Sequence, residues 1–183
     1  MPDFSNIDYL RSGSAVQQQG WNVLTGSRLL ERLRPFHPVL AGTLPLDLFI
    51  ESKSDLDILC EAPDLGAFED FIETQAFEFK GLSVRRKYLQ GVASVIVNFR
   101  LENFPVEIVA QPLPVNQHVA FRHLWIEYFL LQHRGEAFKN QVLALKQKGM
   151  KTEPAFATVL QLPGDPYEAL LKLEADERNR TYS

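Results

Sequence analysis

Apolar and polar positions alternate along the chain in three regimes: helical, then strand-like, then helical again. Between residues 5 and 34 the spacing predicts helix. Ile7, Tyr9 and Leu10 form a short apolar cluster that Ser12-Gly13-Ser14 interrupts, and Trp21, Leu24, Leu29, Leu30 and Leu33 then recur on one helical face. Gly20 and Gly26 weaken that helix by about 1 kcal/mol each. Pro35 and Pro38 end it. Phe36 to Leu40 then read as a strand that enters the central stretch, Val39 to Cys60.

That stretch has an apolar run closed by Gly42-Thr43 and a second strand at Leu56–Cys60. With a period of two, Leu56, Ile58 and Cys60 share one face, and Asp55, Asp57 and Leu59 share the other. Pro63-Asp64 starts a helix with Asp64 as its N-cap, and Leu65, Phe68, Phe71, Ile72 and Gln75 follow at helical spacing. Three strand-like runs come next: Leu82–Leu89, Val92–Leu101 and Pro105–Ala110. The links Gln90-Gly91 and Glu102-Asn103-Phe104 are short enough for hairpins, which predicts an antiparallel meander.

After the rigid spacer Gln111-Pro112-Leu113-Pro114 every segment reads as helix. Asn116 to Arg134 is apolar or aromatic almost all round, so it needs cover on several sides, and a homodimer is one way to supply it. Gly135 stops that helix, and Glu136–Lys148 forms a shorter one ended by Gly149. Thr152-Glu153-Pro154 and Asp165-Pro166 each restart a helix with a cap and an early proline, the last running from Tyr167 to Asp176. The polar tail, Glu177 to Ser183, is expected to fray. The fold class expected is α+β: a short mixed β-sheet with flanking helices over residues 1–111, and a helical C-terminal part, 112–183, packed on it.

Composition narrows the function classes. At 183 residues with 45% hydrophobic and 23% charged positions, the chain can build a sizeable core. A net charge of -4 argues against a nucleic-acid coat. Cys60 is the one cysteine, so no intrachain disulfide forms, and it reads as a buried core residue. The opening residues show no basic segment followed by an apolar one, and no apolar run approaches the ~18 residues that span a bilayer. These features predict a cytoplasmic protein without a membrane segment.

The chemistry concentrates on acids set into apolar strands. Burying a carboxylate without a partner is costly, because desolvation opposes ionisation. Asp55 and Asp57 point the same way with Cα atoms roughly 6–7 Å apart, a separation from which two carboxylates converge on hard cations. Mg²⁺ accepts oxygen ligands from one or two carboxylates plus phosphates and water. Glu107, flanked by β-branched residues in Pro105-Val106-Glu107-Ile108-Val109, is the candidate third acid, with Glu102 its competitor. Gly42 and Thr43, about a dozen residues before Asp55, offer backbone N–H groups and a hydroxyl to a phosphate. Lys53 and Ser54 adjoin the acids. Arg85 and Arg100 on their strands, and His118 and Arg122 at the start of the long helix, are candidates for phosphate or acceptor contacts; an exposed strand end and an ordinary helix histidine are the plainer alternatives. No zinc-ligand spacing, nucleophilic triad, G-x-x-x-x-G-K-[ST] loop or G-x-G-x-x-G run is present.

These residues carry a resemblance. A strand ending in Gly42-Thr43, then Ser54-Asp55-Leu56-Asp57-Ile58, then the lone strand acid Glu107, resembles the nucleotidyltransferase superfamily, in particular its minimal and aminoglycoside-type members. The wording is closer still to an uncharacterised bacterial family within it. That closer likeness rests on Gly42-Thr43-Leu44-Pro45, Ser54-Asp55-Leu56-Asp57, Arg122-His123-Leu124 with Glu127, Lys151-Thr152-Glu153-Pro154-Ala155-Phe156 and Gly164-Asp165-Pro166-Tyr167. The resemblance implies the mixed-sheet fold and transfer of a nucleoside monophosphate from an NTP to a hydroxyl acceptor. It implies catalytic and metal-binding roles for Asp55, Asp57 and Glu107, with two Mg²⁺ ions or Mn²⁺ in their place, and nucleotide contacts from Gly42, Thr43, Lys53 and Ser54. The partners expected are an NTP and a small-molecule or protein acceptor, with no nucleic-acid surface. Simple members follow the Gly-Ser with Arg and other polar residues, whereas here the segment is Leu44-Pro45-Leu46-Asp47-Leu48-Phe49-Ile50. That departure motivates the alternative of an inactive ligand-binding or interaction module.

Overall fold

The computed structural model describes residues 4–51, 53–75 and 80–181. These fall into two compact units, a strand-bearing one ending at Val119 and a helical one beginning at Ala120.

In the strand-bearing unit, α1 (Ala15–Gly26) and the single turn α2 (Leu29–Arg32) lead into β1 (Val39–Ala41) and β2 (Leu56–Glu61). Helix α3 (Leu65–Gln75) precedes β3 (Lys80–Leu89), β4 (Val92–Leu101) and β5 (Phe104–Gln111). The five strands form one mixed sheet in the order β1-β2-β5-β4-β3. The pairings β1–β2, β3–β4 and β4–β5 are antiparallel, and β2–β5 is parallel. The expected α+β class and meander are therefore present. The parallel contact places β5 beside β2, although α3 and two strands separate them in sequence.

Alternation within the strands sets two faces. Leu56, Ile58 and Cys60 of β2, Val106 and Ile108 of β5, and Val95, Val97 and Phe99 of β4 pack into one core with Val23, Leu24, Leu29, Leu33, Phe68 and Ile72. Cys60 is fully buried, and burial pushes its thiol pKa up. Asp64 caps α3, its Oδ1 accepting from Gly66 N–H at 2.8 Å and Ala67 N–H at 3.1 Å. Asp165 does the same for the last helix through Tyr167 and Glu168, both at 3.0 Å.

Several local expectations change. Strand β1 is Val39–Ala41 rather than Phe36–Leu40. Phe36 instead closes a 3-10 turn and packs edge-on to Phe68 and Phe71, with ring centroids 4.8 and 5.1 Å away. The apolar segment after Thr43 is neither strand nor helix but a buried turn. Leu44 and Leu48 are fully buried and Leu46 nearly so. Gln17 ties this turn to α1, its Nε2 donating to Leu44 O at 2.8 Å, and Ser14 Oγ donates to the Asp47 carboxylate. Gly20 leaves the seat for Leu44, since a Cβ there would lie 2.5 Å from Leu44 Cδ2. The helix-weakening glycine thus serves packing.

In the helical unit, α4 (Val119–Gln147) breaks at Gly135, whose φ of 73° and ψ of -175° are not helical. Helices α5 (Thr152–Leu160) and α6 (Pro166–Thr181) follow. Thr152 does not cap α5; its hydroxyl accepts from Lys146 Nζ at 2.6 Å, and Lys151 takes the N-cap position. Helix α6 runs past Asp176 into the tail expected to fray. Arg178 pins this turn, with its guanidinium 4.6 Å from the Trp125 ring centre and an ion pair to Glu174.

Candidate metal and nucleotide site

The sheet register brings the predicted acids together. Asp57 of β2 is the direct neighbour of Glu107 on β5, and Glu107 is in turn the neighbour of Asn98 on β4. In-register residues on adjacent strands project to the same face. Asp57, Glu107 and Asn98 therefore form one polar row on the face opposite the main core. Asp55 lies just before β2 and belongs to the same electrostatic neighbourhood. Partial burial, and then the negative charge of Glu107, hold its carboxyl above the ordinary aspartate range. Glu102, the competitor, sits at φ 52° in the exposed β4–β5 link, away from the row.

Gly42 completes this arrangement through what it lacks. It follows β1 with φ +67°, and a Cβ at this position would lie 1.9 Å from Asp57 Oδ2 and 2.7 Å from its Cγ. Only glycine both adopts this backbone and leaves room for the carboxylate. Beside it, the Thr43 hydroxyl oxygen is buried and has no hydrogen-bond partner among the described residues. A buried hydroxyl normally finds a partner, and this one has none among the described residues. Acids in register, the gap left by Gly42 and an unpaired hydroxyl next to it suit a divalent cation with a phosphate. Among the described residues, no three His, Cys, Asp or Glu side chains gather closely enough to hold a metal alone. Phosphate and water commonly complete the coordination of Mg²⁺.

Glu107 is held from the other side. Asn98 Nδ2 donates to Glu107 Oε2 at 3.1 Å, and Arg85 Nη2 approaches the same oxygen at 3.5 Å. Arg85 also donates to Asn98 Oδ1. Arg85 thus stands beside the acids. Arg100, exposed, turns toward the hairpin link and donates to Asn103 O at 3.0 Å. Ser54 closes the turn ahead of Asp55, its Oγ accepting from Ile50 N–H at 3.1 Å. Lys53 N–H donates to Ile50 O in that turn, and its side chain is exposed.

Two further predicted contacts have partners of their own. His118 is buried, its Nε2 donating to Leu113 O at 3.1 Å. Burial lowers its pKa, against the opposing effects of that carbonyl and of Glu61. Arg122 belongs to the helical unit, where Nε and Nη2 donate to Glu174 Oε2 at 3.1 and 2.7 Å. A separate cleft of about 650 Å³ opens between α1, the turn before Asp55 and the β4–β5 link. Val16, Val23, Phe49 and Phe104 give it apolar walls; Ser54 lines it, while the three acids do not.

Asn98 has no role in the sequence reading, because only the register shows that it abuts Glu107. That reading also missed the buried charges of the helical unit. Glu127, Lys146 and Glu174 are at most 7% exposed. Burial, and secondarily Glu153, raise the Glu127 pKa well above the usual range, with Lys146 opposing. His123 Nε2 donates to Tyr167 O at 3.1 Å, and its Nδ1 lies 3.6 Å from Glu153. Of the helical residues that shaped the closer family wording, His123, Glu127 and Tyr167 thus gather around Glu153.

Comparison with known proteins agrees with the fold. The Cid1 poly(U) polymerase bound to Mg and 3'-dATP superposes with a TM-score of 0.52 at 17% identity, covering 73% of this chain and 41% of that one. A mutant of the same polymerase bound to MgATP gives 0.51 at 15% identity, covering 84% and 47%. The chain therefore spans less than half the length of these structures, and the likeness is one of nucleotidyltransferase-type fold. Among curated proteins none matches the sequence. One family model does, over residues 22–173, and the chain accordingly belongs to the family described as Domain of unknown function (DUF4269).

Proposed function

We infer that the chain is a Mg²⁺-dependent nucleotidyltransferase that moves a nucleoside monophosphate from an NTP to the hydroxyl of a small-molecule or protein acceptor. The observation that carries this reading is the row Asp57–Glu107 beside Asp55, with Gly42 leaving space against Asp57. In this reading the Gly42 backbone and the Thr43 hydroxyl hold the phosphates, and Asp55, Asp57 and Glu107 hold the cation or cations. Lys53 and Arg85 would balance phosphate charge, Arg85 from beside Glu107. A bound Mg²⁺ supplies Lewis acidity and lowers the pKa of the attacking hydroxyl. Where Glu107 does not ligate a second cation, it would accept the proton from that hydroxyl as the hydroxyl oxygen bonds to the α-phosphorus. The bond from that phosphorus to the bridging oxygen breaks, and pyrophosphate leaves.

The inactive alternative arose from the apolar segment after Thr43. Burial of Leu44, Leu46 and Leu48 gives that segment a packing role, so its lack of cations does not by itself speak against activity. Isothermal titration of the full chain with Mg²⁺ and each NTP tests the reading. Wild type is expected to bind, and Asp55→Ala with Asp57→Ala to abolish binding. Equal binding by both proteins would overturn it. Incubation with α-labelled NTP and candidate acceptors then reads transfer directly.

A further inference from the structure

Two contacts converge on one oxygen of Glu107. Asn98 Nδ2 donates to Oε2 at 3.1 Å and Arg85 Nη2 lies 3.5 Å from the same atom, while Arg85 also donates to Asn98 Oδ1. The Arg85 contact fixes which end of the Asn98 amide faces Glu107, because a guanidinium can only donate and so selects the amide oxygen. The nitrogen is then left to meet the carboxylate. Neither contact reaches Oε1. Both partners come from outside the acid pair: Asn98 from β4 and Arg85 from the edge strand β3. Arg85 is half exposed, so its side chain has room to move, whereas Asn98 is half-buried within the row.

From this geometry we propose that Asn98 is the positioning residue for Glu107, and that Arg85 is an internal counter-cation that a divalent ion at the acid row displaces. Asn98 clamps Oε2, leaving Oε1 outside the clamp. Arg85 offsets the like charges of Asp55, Asp57 and Glu107 while the row holds no ion. The two residues therefore affect cation binding in opposite directions. Loss of Asn98 frees the carboxylate to rotate and weakens binding. Loss of Arg85 removes a positive charge that competes with the incoming ion and tightens it.

This inference rests on the metal-site reading above, and one set of measurements separates the two. Mn²⁺ binding to the chain is followed by electron paramagnetic resonance of the free ion at low salt, without nucleotide, so that two carboxylates of the row with water complete the coordination. Asn98→Ala should weaken binding about 10–100-fold, the usual cost of removing the partner that orients a metal ligand. Asn98→Leu, which keeps the volume and removes the donor, should match it, so a packing defect is not mistaken for a lost hydrogen bond. Arg85→Ala should bind several-fold more tightly than wild type. If wild type and Asp57→Asn bind Mn²⁺ equally, the metal-site reading itself fails. If wild type binds at this row but the Asn98 and Arg85 variants are unchanged, or shift in the same direction, the positioning and counter-cation roles are overturned while the metal site stands.

Discussion

The sheet face and the helical unit treat their charged residues in opposite ways. In the helical unit the buried acid Glu174 is given cations from two sides, while the Glu127 pKa is held up chiefly by burial with Lys146 opposing. Glu174, 2% exposed, receives Arg122 from α4 and, from its own helix, Arg178. Glu127 feels Lys146 from beyond the Gly135 break. On the sheet, like charges are set side by side. Asp57 adjoins Glu107, partial burial and then Glu107 raise the Asp55 pKa, and Arg85 lies 3.5 Å from Glu107 in a half-exposed position. Charges matched inside a fold hold it together; like charges gathered on one face are held there at a cost to the fold. The contrast separates Glu174, whose charge is matched within its own unit, from Asp55, Asp57 and Glu107, which the function proposed above makes a ligand site.

If that contrast is right, neutralising Glu174 should cost stability, and neutralising an acid of the sheet row should cost function. The largest stability effect is expected from Glu174→Gln, which leaves Arg122 and Arg178 facing an uncharged amide. Breaking one side of a buried pair typically costs about 3–5 kcal/mol, read by chemical denaturation. On the sheet, Asp57→Asn should reduce nucleotide transfer by about 10²–10³-fold, the scale on which removing one electrostatic stabiliser acts. Its denaturation midpoint should stay at or above that of wild type. A large loss of stability in Asp57→Asn would break the comparison.

Gly42→Ala tests the same face sterically. The added Cβ meets the Asp57 carboxylate at 1.9 Å in a left-handed backbone, so Asp57 has to move. The expected cost is about 1–3 kcal/mol of stability, together with loss of Mn²⁺ binding.

Glu127 gives a pH-dependent test within the helical unit. Its folded pKa is raised, chiefly by burial, so at acid pH it is protonated both folded and unfolded and carries no penalty. As pH rises past the ordinary glutamate range the unfolded chain releases this proton and the folded chain keeps it, and stability falls until the folded pKa is passed. Glu127→Gln should therefore match wild type near pH 3–4, within the unfolded carboxylate range, and melt higher at neutral pH. A variant that is less stable than wild type at neutral pH would show that Lys146 outweighs burial. The smallest effect belongs to Asp55, which is largely exposed. Asp55→Asn should relieve first the partial desolvation of the charged carboxylate and then its repulsion from Glu107, with a gain that appears as pH rises through the carboxylate range and whose repulsive part shrinks in high salt.

Much of this was legible in one dimension, because it depends on neighbours in sequence. Period-two alternation put Asp55 and Asp57 on one face and Leu56, Ile58 and Cys60 on the other. Short links marked the β3–β4–β5 hairpins, and Asp64 and Asp165 announced their helices by local capping. The gap between β2 and β5 is another matter. Placing Glu107, and not Glu102, beside Asp57 needs the parallel register Asp57↔Glu107, set by the packing of whole strands. The same holds for Asn98 against Glu107, for Gly42 against the Asp57 carboxylate and for Gly20 under Leu44. It holds also for Arg122, whose position near the start of a helix suggested a phosphate contact, whereas the fold of the helical unit pairs it with Glu174. Periodicity determines which way a side chain points because that is a property of the local backbone; what it points at depends on contacts between residues far apart in the chain, and only the tertiary structure decides those.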